Sequence, residues 1–96
     1  MKETSEIENS IERWNKRSFQ DYKEWLFKEI KSNQETSVFL KMHIENFMKR
    51  YKSQIGVENN FLLKKLFFIN LELKNYKQAL DILLKLIKVF GRDKNY

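Results

Sequence analysis

The chain has 96 residues, 42% of them apolar and 33% charged, and a formal charge of +6; that balance suits a folded domain and not a disordered tail. It has no cysteine and no proline and only two glycines, Gly56 and Gly91, which excludes a disulfide framework, a thiolate metal site and a cysteine nucleophile. The turn residues that a multi-stranded sheet needs about every 8–12 residues are also missing. What remains is an all-α fold, a small bundle of four to five helices ending in an antiparallel helical hairpin.

The opening residues, Met1-Lys2-Glu3-Thr4-Ser5-Glu6, are polar and acidic, unlike a secretory signal. The longest uninterrupted apolar run, Leu66-Phe67-Phe68-Ile69, is far short of the roughly 20 residues of a spanning helix. An intracellular, cytoplasmic location is therefore expected. Charge is unevenly divided: residues 1–35 carry seven basic and eight acidic side chains, and residues 36–96 carry twelve basic and five acidic. A surplus of this kind either solubilises apolar helices or marks a surface for an anionic partner.

Taken in chain order, Ile7, Ile11 and Trp14 form one stripe of a first helix, with Thr4 or Ser5 as its cap and Glu6 and Glu8 at its positive end. Ser18-Phe19-Gln20-Asp21 reads as a fresh cap, so the chain either kinks near Ser18 within one long helix or, the preferred reading, starts a second helix there, with Tyr22, Leu26 and Ile30 on its buried stripe. Ser32-Asn33-Gln34-Glu35 matches a capping box and is expected to open the third helix. Its stripe is Leu40, Ile44, Phe47, Met48, Tyr51 and Ile55, and Gly56 is expected to end it in a left-handed conformation.

Residues 57–92 differ in character. Nineteen of the thirty residues from Phe61 to Phe90 are apolar. Asn59 or Asn60 would cap one helix, Lys74-Asn75 would turn the chain, and Gly91 would end the second helix, leaving a short tail over 93–96. The apolar arc is wider than one partner helix can cover. With Leu63, Leu66, Ala79, Leu80 and Leu83 assigned to the seam between the two helices, Phe61, Phe68, Leu71, Leu84 and Phe90 are left over. They are the candidate contacts to a protein partner or to a second copy of the chain.

Lys74-Asn75-Tyr76-Lys77-Gln78-Ala79-Leu80, with Leu63, Leu66, Phe67, Leu83 and Leu86 in register, resembles one tetratricopeptide-like helix pair over about residues 60–92. Asn70, Phe67 and Gly91 depart from that family's pattern, and no second copy is evident upstream. The resemblance implies a peptide- or protein-binding module without enzymatic activity, in which Ala79 permits close helix approach and Tyr76 fills the corner.

Little in the chain points to chemistry. His43 is the only histidine, and Glu45 beside it faces another direction on a helix, so His43 is read as a boundary residue. The phosphate-loop, dinucleotide-loop and zinc-helix motifs are absent, and no cofactor is expected. The reading from the residues is a non-enzymatic adaptor, chaperone-like or regulatory subunit. Its alternative is a small nucleic-acid-binding protein using Lys49, Arg50, Lys52, Lys85, Lys88 and Arg92 on phosphates and Tyr51 on a base.

Overall fold

The computed structural model describes the backbone of residues 4–56 and 58–93 and the side chains of residues 4–56 and 59–88. Among these residues all regular structure is helical: α1 (Thr4–Asn15), α2 (Phe19–Ser32), α3 (Ser37–Arg50), α4 (Glu58–Glu72) and α5 (Tyr76–Asp93). They form two compact units, Met1–Ile55 and Gly56–Tyr96.

In the first unit α3 packs against both α1 and α2. The break between α1 and α2 falls where Ser18 predicts it. Ser18 is extended, and its Oγ accepts a hydrogen bond from the Asp21 backbone N–H at 3.1 Å, which satisfies one orphan donor of α2. The next boundary differs from the capping-box reading. Ser32 is the last residue of α2, with its Oγ donating to the Glu29 carbonyl, and Asn33 adopts the left-handed conformation that closes the helix. Thr36 is the cap of α3, its Oγ1 accepting from the Phe39 N–H at 3.2 Å. Two hydroxyl caps four residues apart compete here, and the left-handed Asn33 between them commits Ser32 to the helix that is ending.

The core of this unit is Ile7 from α1, Tyr22, Leu26 and Ile30 from α2, and Phe39, Leu40, Ile44 and Phe47 from α3, with Tyr51 just beyond it. Aromatic rings fill much of the volume. Trp14 and Trp25 stack at 4.4 Å between centroids, and Phe19 stacks on Phe47 at 5.5 Å. Past Arg50 the chain makes one further turn, in which the Gln54 and Ile55 N–H groups return to the Tyr51 carbonyl. Gly56 does not have the positive φ expected of it, because this turn, not a left-handed residue, uses the last carbonyls.

In the second unit α4 and α5 pack as an antiparallel hairpin. Leu62, Leu63, Leu66, Ile69 and Asn70 are buried on α4; Ala79, Ile82 and Leu86 are buried on α5. The turn lies where Lys74-Asn75 predicts it. Lys74 is left-handed (φ 62°), its N–H bonds the Leu71 carbonyl at 3.0 Å, and the Asn75 N–H reaches the Asn70 carbonyl at 2.7 Å. That pair of bonds is a Schellman motif. Asn75 then caps α5, its carbonyl accepting from the Ala79 N–H. Neither Asn59 nor Asn60 precedes α4, since the helix begins at Glu58. Gly91 does not end α5, which continues to Asp93.

No described helix is long and apolar enough to cross a membrane.

Candidate functional site

The largest departure from a closed core is on α5. Tyr76 is 61% exposed, Leu80 54% and Ile87 55%, and Leu83 and Leu84 are exposed with them. At about 100° per residue these five side chains fall within an arc of about 100°, beside the buried arc of Ala79, Ile82 and Leu86. The helix therefore carries two adjacent apolar stripes, one buried in its own unit and one facing solvent. Sequence reasoning placed Leu80 and Leu83 in the seam with Ala79. The structure instead puts Ile82 and Leu86 there, because the apolar arc spans about 200° and periodicity alone does not say which half meets α4.

The other candidate contacts are also at the surface. Phe68 is 62% exposed, and Phe61, Leu71 and Leu84 are exposed. Phe61, Phe68 and Leu71 lie on the side of α4 away from its buried stripe, so they form a separate patch from the α5 stripe, to which Leu84 belongs. The side chain of Phe90 lies outside the described residues. Tyr76, which the tetratricopeptide-like pattern assigns to the corner of the hairpin, points to solvent, whereas Ala79 is buried at the close approach of the helices.

The basic candidates are divided between the two units. Lys49 and Lys52 are exposed, but the Arg50 Nη2 donates to the Asn15 carbonyl at 3.0 Å and its Nε to the Tyr51 hydroxyl at 3.4 Å. Arg50 thereby ties the end of α1 to α3. Tyr51 is buried, with Phe19 at 4.9 Å edge-on, Phe47 at 5.1 Å and the Arg50 guanidinium at 5.7 Å from its ring, so a base finds no free face to stack on. Lys85 and Lys88 are exposed on α5. The side chain of Arg92 lies outside the described residues.

One polar cluster was not visible in the sequence. His43 is fully buried and not a boundary residue. Its Nδ1 stands 2.7 Å from the Tyr22 hydroxyl and its Nε2 3.0 Å from Ser10 Oγ. The Asn46 Nδ2 donates both to the Tyr22 hydroxyl (3.2 Å) and to Asn15 Oδ1 (2.8 Å). Burial pushes the Tyr22 phenol up to about 12, the Asn46 hydrogen bond opposing it. Tyr22 is thus neutral at ordinary pH, its oxygen accepting from Asn46 and sharing a second hydrogen bond with His43 Nδ1. His43 thus bridges two hydroxyls, one at each ring nitrogen, and its tautomer decides which of them donates. The cluster links α1, α2 and α3. Its one sequence signal is Ser10 lying three residues after Ile7, on the face that enters the core. In the second unit Asn70 is a comparable buried polar residue, its Nδ2 donating to the Leu66 carbonyl at 2.9 Å.

A small polar pocket of about 240 Å³ on α1 is lined by Glu6, Asn9, Ser10, Arg13 and Phe39. Among the described residues no three His, Asp or Glu side chains are grouped to hold a metal ion. No family model, curated protein or solved structure matches this chain significantly.

Proposed function

We propose that the chain is a non-enzymatic protein–protein interaction module in which the exposed stripe of α5 docks against a helix of another protein chain. The observation that carries this reading is the stripe itself. Tyr76, Leu80, Leu83, Leu84 and Ile87 recur at the 4-, 3- and 4-residue steps of a helix contact, and each leaves a third or more of its surface in water. Monomers seldom expose contiguous apolar ridges of this kind without a partner to cover them. The tetratricopeptide-like reading of residues 60–92 agrees with this role. The burial of both Ser10 and His43 inside the first unit favours a packing role for that pair and supports a non-enzymatic assignment. A nucleic-acid role draws no support from the positions of Arg50 and Tyr51, which are engaged within the first unit.

The test is a photo-crosslinking residue at position 80 of the full chain, with Ile87→Glu as the control. The expected product is a covalent adduct to a protein chain that disappears in the Ile87→Glu variant while helical circular dichroism stays constant. A nucleic-acid adduct, or a protein adduct indifferent to Ile87→Glu, would overturn the reading.

A further inference from the structure

We infer that the helix received by α5 is acidic: an amphipathic helix of about three turns whose apolar ridge covers the Tyr76–Ile87 stripe and whose flanking carboxylates meet the lysines of α5. This rests on the reading of α5 as a docking surface and adds the chemistry of its partner.

Three features of the stripe define that partner. Tyr76 to Ile87 spans eleven helical steps, about 17 Å, or three turns. Its arc of about 100° is the width that one packed helix covers. Its edges differ. One edge is the seam of Ala79 and Leu86, buried where α5 meets α4. Just beyond Leu84, at the other edge, come Lys77 and Lys88, with Lys85 further round. All three lysines are exposed, and Asp81, also exposed, lies among them between Lys88 and Lys85, so this edge carries three cations against one carboxylate. The free edge of the stripe is therefore cationic.

That charge distinguishes between occupants. In a second copy, Lys77 and Lys88 of both molecules would border one seam, and like charges there oppose association. A helix lying in a bilayer surface inserts an apolar face with cations at both edges. Here only one edge is open and cationic. A helix bearing Glu or Asp beside its apolar ridge places opposite charges along the edge that is open, and leaves the α4 side to apolar packing.

The probe is a displayed library of three- to four-turn amphipathic helices, apolar at the ridge and randomised among Glu, Gln and Lys at the flanks, selected on the full chain. Enrichment of Glu-flanked sequences is expected, with binding about tenfold weaker when the same peptide carries Lys instead, and a loss of that difference at high salt. Leu80→Glu with Ile87→Glu should abolish capture. Lys77→Glu with Lys88→Glu should reverse the preference. Enrichment without regard to flanking charge, still sensitive to Leu80→Glu with Ile87→Glu, would overturn the acidic partner and leave the docking surface standing. Absence of enrichment together with a dimer dissolved by Leu80→Glu would do the same, naming a second copy as occupant. Binding to phosphatidylserine vesicles in place of any peptide, or a monomer that binds neither, would overturn both readings.

Discussion

The Tyr22 hydroxyl and His43 Nδ1 share a 2.7 Å hydrogen bond inside the first unit, where neither side chain is exposed. A tyrosine on α2 is thereby tied to a histidine on α3, and through Nε2 that histidine reaches Ser10 on α1. Apolar packing alone tolerates sliding between helices; a directed chain of hydrogen bonds does not.

Tyr22→Phe keeps the ring and removes the link. It leaves His43 Nδ1 without that hydrogen bond, so a loss of about 1–3 kcal/mol is expected in urea unfolding. His43→Leu takes a partner from each of two hydroxyls, Tyr22 keeping only its bond from Asn46, and should cost at least as much. Because the two residues share one bond, the double variant should fall short of the sum by about 0.5–3 kcal/mol. Strict additivity would show that the two side chains contribute independently.

The same tyrosine predicts a response to alkali. Its folded pKa of about 12 exceeds the ordinary value of 10 because burial disfavours the phenolate. The folded state therefore holds this proton more tightly than the unfolded state. The stability it contributes is fully present below about pH 10 and is lost as pH rises towards 12. Ultraviolet absorbance should show one tyrosine ionising late and together with loss of near-ultraviolet dichroism. In Tyr22→Phe the late step should be missing.

Much of the fold was legible locally. The Ser18 break, the stripe Tyr22–Leu26–Ile30 and the Lys74-Asn75 turn all follow from caps and periodicity, and each stands in the structure. Local patterns failed where two solutions satisfied them equally. Ser32 and Thr36 are both plausible caps, and Gly56 and Gly91 are plausible stops that the chain passes without a positive φ. The α5 arc was apolar enough to hide which half was buried. Ser10 and His43 were illegible for another reason: their bonds join residues 33 apart, and no local spacing encodes that pairing.

The two stripes of α5 and α4 should respond differently to truncation. Leu62 is fully buried, and Leu62→Ala should cost about 2–5 kcal/mol through lost transfer energy and an unfilled cavity. Leu80 is 54% exposed, and Leu80→Ala should change stability by no more than about 0.5 kcal/mol. Chemical denaturation of the two variants checks this directly. A large loss at Leu80 would return it to the helix seam, as periodicity alone had placed it.

Lys74 occupies the left-handed position of the Schellman motif, where a side chain beyond Cα crowds the following carbonyl. Relief of that crowding is worth about 1–2 kcal/mol, and glycine's greater freedom in the unfolded chain returns about 0.4–1 kcal/mol of it. Lys74→Gly should therefore stabilise the α4–α5 hairpin by about 0.5–1 kcal/mol, read as a higher urea midpoint with an unchanged slope. Lys74→Val should do the opposite, because a β-branched residue is the least tolerant of positive φ. If glycine instead destabilised the hairpin, the bonds from Lys74 to Leu71 and from Asn75 to Asn70 would not be what closes α4.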